Sequence, residues 1–214
     1  MKKYLAEFLG TAFLLMVVVG SGIMGENLAG GNTAIILLAN SLATGAGLLV
    51  IIQCLGPISG AHLNPVVSLL EMMWGRLKRK DLLGYWTAQV LGAIVGVLVV
   101  HVMFDLSIIE VSEKHREGLG LWVSEGIATF GLICVIALPG QKHAEWVPFS
   151  IAAYITSAYW FTSSTSFANP AATVARSLTN TFSGIAPSGI AYFISAQILG
   201  GLAAFWIVSR IQTK

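Results

Sequence analysis

Charge is what this sequence has least of. Of its 214 residues only 10% are Asp, Glu, Lys or Arg, and the net charge is +2. Such a chain offers no basic patch interleaved with aromatics, so a nucleic-acid partner is excluded. Cysteine is nearly absent: Cys54 and Cys134 are the two, both inside apolar stretches. They support neither a disulfide framework nor a thiolate metal site, and read as buried small hydrophobes. His62, His101, His115 and His143 lack metal-ligand spacing, so no metal is expected. The chain contains no HExxH, no nucleophile elbow and no phosphate-binding glycine loop, so it reads as no enzyme and needs no cofactor.

Apolar residues fill the space left by charge. They make up 56% of the chain, and mean hydropathy is +0.79. One soluble core cannot hide that much apolar surface, so the solvent is lipid. Six runs near the roughly 20-residue length of a bilayer span lie at about Tyr4–Met24, Thr33–Leu55, Leu82–Phe104, Leu119–Leu138, Trp146–Ser163 and Ser188–Val208. None alternates with period two, which excludes strands. The first run follows Lys2 and Lys3, yet Glu7 interrupts it and no small-x-small cleavage site follows. It reads as a retained helix. With the N-terminus inside, the basic residues divide nine (Lys2, Lys3, Arg76, Lys78, Arg79, Lys80, Lys142, Arg210, Lys214) against two (Lys114, Arg116), with Arg176 at membrane depth. That asymmetry puts both termini in the cytoplasm of a multi-pass protein, in a plasma or inner membrane. Arg76–Lys80 should face anionic lipid, and the segment 105–118 should be extracellular and solvated.

The chain also repeats itself. "AEFLGTAFLL" opens the first run and "SEGIATFGLI" lies in the fourth, matching Glu7 to Glu125. "HLNPVVSLL" follows the second run and "FANPAATVA" the fifth, matching Asn64 to Asn169. Each half has an odd number of spans, so the second half inserts upside down relative to the first. The whole of 1–214 is then one transmembrane domain of two inverted repeats, about 1–110 and 118–214.

Asn is a preferred helix N-cap and Pro a preferred first helical residue, so each Asn-Pro pair starts a helix. The apolar stretches that follow are too short to span. Two half-helices entering from opposite faces meet N-terminus to N-terminus, each carrying about half a positive charge. Before each lies irregular backbone, Gly56–Leu63 and Ser163–Ala168, tolerated at membrane depth only in protein or beside a watery cavity. In G-x-x-x-G spacing, Gly92 and Gly96 suit helix packing within the subunit.

"AEFLGT", "GPISGAHLNPVVSL" and "SFANPAATVARS" together resemble the major intrinsic proteins, the aquaporins and aquaglyceroporins. The resemblance covers nearly the whole chain. It implies an all-α membrane fold of six transmembrane helices plus two re-entrant half-helices, assembled in lipid as a homotetramer with one pore per subunit. It implies that Asn64-Pro65-Val66 and Asn169-Pro170-Ala171 form the pore midpoint. Pore-facing carbonyls fall at Gly60, Ala61 and His62, and at Thr165, Ser166 and Phe167. Glu7 and Glu125 then accept hydrogen bonds from the re-entrant loops.

Two departures from the family pattern matter. Val66 stands where alanine is usual; packing against the opposing half-helix is favoured over narrowing of the pore. Ala172 stands where water-selective and many glycerol-conducting members carry the filter arginine. Counting from the motifs gives a filter of Thr44, Ser157, Ser166 and Ala172, all small and uncharged. The second position is fixed only to within a residue or two, leaving Ala158 and Tyr159 as alternatives; a Tyr159 lining would narrow the mouth. Arg176, one turn beyond Ala172, rises about 6 Å further outward. It is expected at the outer vestibule, on carbonyl partners, bracing a loop and not at the filter.

The expected function is a passive channel for water and small neutral solutes, such as glycerol or undissociated metalloid hydroxides like arsenite, that excludes protons and ions. A strictly water-selective channel is the first alternative. The second is a proton-coupled transporter using Glu7 and Glu125, since intramembrane carboxylates are functional suspects.

Overall fold

The computed structural model describes residues 1–138 and 145–212, which leaves Lys142, His143 and Lys214 outside the described residues. Among the described residues eight α-helices follow one another: α1 (Lys2–Leu28), α2 (Thr33–Ser59), α3 (Pro65–Met73), α4 (Leu82–Met103), α5 (Leu119–Ala137), α6 (Val147–Phe161), α7 (Pro170–Ala175) and α8 (Pro187–Gln212). The order long, long, short, long occurs twice. Five helices are long and apolar enough to cross a membrane. The sixth expected span, α6, has 15 helical residues after the undescribed stretch, about 22 Å of rise and less than a full hydrocarbon core.

The packing is inside-out relative to a soluble domain. Leu5, Phe13, Leu42, Val50, Leu83, Val123 and Leu199 are exposed, while Glu7, Gln89, Glu125 and Gln197 are buried. This is the distribution an apolar solvent selects, because a polar side chain must find its partner inside the protein. Cys54 joins the exposed face, contrary to its expected burial, and Cys134 is half-buried. A weakly polar thiol costs little against lipid, so composition alone could not orient it.

Glycines set how closely the helices approach. A Cβ at Gly92 or Gly96 on α4 would strike the Phe8 and Ala12 carbonyls of α1, and one at Gly200 on α8 would strike the Gly126 backbone of α5. The α1–α4 and α5–α8 crossings are thus backbone-on-backbone, the same device in each half.

The segment 105–118 is largely exposed, as its charges suggested, but it is also held in place. It lies along residues 177–186: Glu110 N–H donates to Leu178 O (3.1 Å), Ser112 N–H to Ser177 O (2.9 Å), and Ala186 N–H to Lys114 O (2.8 Å). His101, fully buried at the end of α4, ties both segments, with Nδ1 2.8 Å from Ser107 O and Nε2 2.8 Å from Thr179 Oγ1.

Candidate functional site

The two re-entrant loops are built alike. Asn64 caps α3 by accepting from Val66 N–H (2.9 Å), and Asn169 caps α7 by accepting from Ala171 N–H (3.0 Å) and Ala172 N–H (3.3 Å). Their amides then cross over. Asn64 Nδ2 donates to Ala168 O (2.7 Å) and Asn169 Nδ2 to Leu63 O (2.8 Å). An amide carries two hydrogens, so each asparagine caps, cross-links and still has one N–H left. Both asparagines line a cavity of about 290 Å³.

Upstream of each asparagine, residues at the same two offsets are left-handed: Ala61 (φ 45) and Leu63 (φ 53), Ser166 (φ 51) and Ala168 (φ 48). Each such residue costs about 1–2 kcal/mol. A buried carboxylate offsets that cost in both halves. Glu7 Oε1 accepts from Ser59 Oγ (2.6 Å) and His62 N–H (3.0 Å), and Oε2 from Leu63 N–H (2.7 Å) and Gln89 Nε2 (2.7 Å). Glu125 accepts from Phe167 N–H (2.8 Å), Ala168 N–H (2.8 Å) and Gln197 Nε2 (2.6 Å). Hydrogen bonds to a charged acceptor contribute about 1.5–3 kcal/mol each, enough to outweigh the two left-handed non-glycine residues of the first loop and the three, Thr165 included, of the second.

Gln89 and Gln197 escaped the sequence reading. Each continues to a hydroxyl four residues past the asparagine, Ser68 (2.8 Å) and Thr173 (3.0 Å). The available signal was one uncharged amide in the middle of the last long apolar run of each half.

With their N–H groups engaged, the loops leave carbonyls free. Among the described residues, the carbonyls of Gly60, Ala61, His62, Thr165, Ser166 and Phe167 accept no backbone hydrogen bond. Gly60, Ala61, His62, Ser166 and Phe167 line the cavity, but Thr165 does not. Leu63 and Ala168, the residues just before each asparagine, line it in addition. Pro65 and Pro170 sit at the first helical position, where no N–H is needed. Val66 is away from the cavity, packed into the space that Gly201 leaves for it.

α3 leads from the asparagine contact to one end of the cavity, where Glu71 and Arg76 form an ion pair (3.1 Å) on its wall. Arg76 lines the cavity with its side chain still half-exposed. α7 leads to the other end. There Thr44, Ser166 and Ala172 line the wall as counted, but Ser157 does not. Ser157 is exposed, its hydroxyl returned to the Tyr154 carbonyl of its own helix (2.7 Å). Tyr159 takes its place and shares a hydrogen bond with Thr44 (3.2 Å).

Arg176 braces a loop as expected, through Nε to the Ser183 carbonyl; it is 3% exposed and, like Ala172, lines the cavity. Its guanidinium carbon stands 3.3 Å from the Phe167 ring centroid, and that of Arg116 stands 5.0 Å from it. Arg116 also donates to Gly184 O (2.8 Å), and Lys114 Nζ to Phe182 O (3.0 Å). Three consecutive carbonyls are thus held by three cations: Phe182 O by Lys114 and Arg116, Ser183 O by Arg176, and Gly184 O by Arg116. Burial pushes the Arg116 guanidinium down to about 10, and burial followed by the Arg116 charge pushes Lys114 down.

The major intrinsic protein family model matches residues 1–155. Aquaglyceroporin AqpS of Rhizobium meliloti is 51% identical over 203 residues, covering 95% of this chain and 87% of that protein. Aquaporin Z of Rhodopseudomonas palustris is 29% identical over 220 residues, covering 96% and 86%. The structure of the aquaglyceroporin from Plasmodium falciparum superimposes with a TM-score of 0.76 at 21% identity, covering 99% of this chain and 96% of that one, a likeness of fold. With its paired asparagine loops, carboxylate props and half-helices, the chain belongs to the major intrinsic protein family.

Proposed function

We propose that the cavity is the conducting path of a passive channel for water and small neutral solutes. The observation that carries this is the asparagine pair with its free carbonyl rows. Two helix N-termini focus a positive field where the amides meet, which repels cations and hydronium. A neutral solute passing there gains the remaining amide hydrogens and the carbonyls in exchange for water. Glycerol is the solute we assign first, in keeping with the name of the most identical relative described above, and a compact neutral triol such as As(OH)₃ has the same acceptor and donor pattern.

Glu7 and Glu125 support this reading over a proton-coupled transporter. Their oxygens already accept four and three hydrogen bonds, which leaves little for a proton relay. One observation favours a strictly water-selective channel: Tyr159 and Arg176 both narrow the end where small residues were expected. We infer further that the chain works as a homotetramer in lipid, in a plasma or inner membrane, with both termini and the Arg76 end cytoplasmic. It is a channel and not an enzyme, built as inverted repeats over about 1–110 and 118–214, with no cofactor and no nucleic-acid partner.

Stopped-flow swelling of proteoliposomes in neutral solutes of graded size tests the proposal. Water and glycerol should pass, while an imposed pH gradient decays no faster than in empty vesicles. A proton current, or solute accumulation driven by the gradient, sinks the channel reading.

A further inference from the structure

The last turns of α4 carry a groove that takes no part in the cavity. Val95, Leu98, Val99, Val102 and Met103 form its floor and Ile108 closes its end, around a volume of about 250 Å³. All but the half-buried Leu98 are exposed, a contiguous apolar patch of the kind that marks a partner or a membrane. It continues the apolar face that Leu83 and Leu91 begin at the other end of the same helix. From Val95 to Met103 the helix rises about 12 Å, close to half of a hydrocarbon core of roughly 30 Å. The groove therefore has the depth of one leaflet.

The rim of the groove carries charge. α4 ends in a tight turn, with Asp105 N–H on Val102 O (3.3 Å) and Leu106 N–H on His101 O (2.9 Å). Asp105 is left-handed there (φ 54) and stands exposed on the stretch that joins two walls of the groove, Met103 and Ile108. Among the described residues its carboxylate has no hydrogen bond and no ion pair. The backbone N–H groups of Ser107, Ile108 and Ile109 likewise meet no acceptor among the described residues. Residues 105–113 hold Asp105, Glu110 and Glu113 and no Lys or Arg. The next two cations, Lys114 and Arg116, turn inward to the Phe182 and Gly184 carbonyls.

We propose that this groove seats one phospholipid whose headgroup ends in a primary ammonium. The proposal takes lipid as the solvent of α4 and does not depend on what the cavity conducts. An acyl chain lies along Val95 to Met103, against aliphatic carbon throughout. Its phosphate oxygens accept from the free N–H groups of 107–109, and its ammonium donates to Asp105. A trimethylated ammonium has the same charge but no hydrogen to donate, and a headgroup that is anionic overall is repelled by the acidic rim. A second copy of the chain suits the face less, because a two-fold contact would set one acidic rim against another.

Native mass spectrometry of the purified protein, titrated with dioleoyl phosphatidylethanolamine, phosphatidylcholine or phosphatidylglycerol, counts bound lipids and gives each affinity. The ethanolamine lipid should bind about three- to fivefold more tightly than the choline lipid, the strength of one exposed charge-assisted contact, and the glycerol lipid more weakly than both. Asp105→Asn should remove that preference while keeping the fold, since asparagine accepts a left-handed turn as readily as aspartate. Val99→Trp fills the groove and should cost one bound lipid per subunit, whereas Leu83→Trp, on the same helix outside it, should cost none. Equal affinity for the ethanolamine and choline lipids overturns the proposal on the wild type alone, whether or not Val99→Trp assembles. So does tighter binding of the glycerol lipid, or a preference that survives Asp105→Asn. A lipid count that Val99→Trp leaves unchanged while the number of subunits per particle falls makes the face a contact between copies, and the proposal fails.

Discussion

Asn64 and Asn169 each donate to the carbonyl of the residue just before the other, Asn64 to Ala168 and Asn169 to Leu63. The pair is reciprocal, so neither loop holds its shape without the opposite half. An aspartate at either position has no hydrogen to donate and sets a carboxylate against a carbonyl oxygen at the centre of the path. Asn64→Asp and Asn169→Asp should therefore lower water permeability and admit monovalent cations that the wild type excludes. A potential-sensitive dye in potassium-loaded proteoliposomes reads the leak. Tight vesicles with either variant would show that the midpoint charge does not set ion exclusion.

Glu7 carries the first loop. Glu7→Gln keeps the shape but turns one acceptor oxygen into a donor that faces N–H groups, so both the prop and the loop weaken. A destabilisation of about 2–4 kcal/mol is expected, with flux per folded protein falling as well. Thermal unfolding in detergent, read with fluorescence-detected size exclusion, measures the first quantity. Glu125→Gln should behave alike, since it props the second loop in the same manner.

The outer mouth offers a swap. Ala172→Arg alone adds a second guanidinium to a wall that Arg176 already occupies, and both water and glycerol flux should drop. Ala172→Arg with Arg176→Ala moves one cation inward by a turn and empties its former site. Water flux should recover in the double variant to near wild type while glycerol flux stays at least about tenfold down. Equal recovery of both would mean that the position of the cation along the path does not matter.

At the crossings, Gly92→Val puts methyls into the α1 backbone, whereas Gly120→Val meets nothing within 4 Å. Overpacking costs about 1–3 kcal/mol, so Gly92→Val should lower the apparent melting temperature and yield less assembled protein, with Gly120→Val as the silent control.

The midpoint was legible in the sequence because each element occurs twice. One glutamate in an apolar run is ambiguous, but Glu7 and Glu125 each open a half whose second long run leads into an Asn-Pro pair, and symmetry selects the pairing. The far end of the cavity was less legible, for two physical reasons. Ser157 and Tyr159 differ by two residues on α6, about 200° around a helix, so a small error of register exchanges lipid for cavity. A serine also survives against lipid by bonding its own helix carbonyl, so its polarity gave no hint of its face. Arg176 was expected on carbonyl partners, and its Nε meets the Ser183 carbonyl; its stacking on Phe167 was not legible, because rise per residue locates a Cα and not the end of a long side chain.

The crossed asparagine bonds also set an order of events during synthesis. A ribosome delivers residue 64 long before residue 169, so the first re-entrant loop must wait, with Asn64 and the Leu63 carbonyl lacking their partners, while more than 100 further residues are made. A lone half-helix with an open amide is poorly suited to hydrocarbon. The conducting path is the last part of the molecule to exist, and a chain halted before Asn169 makes helices but no hole.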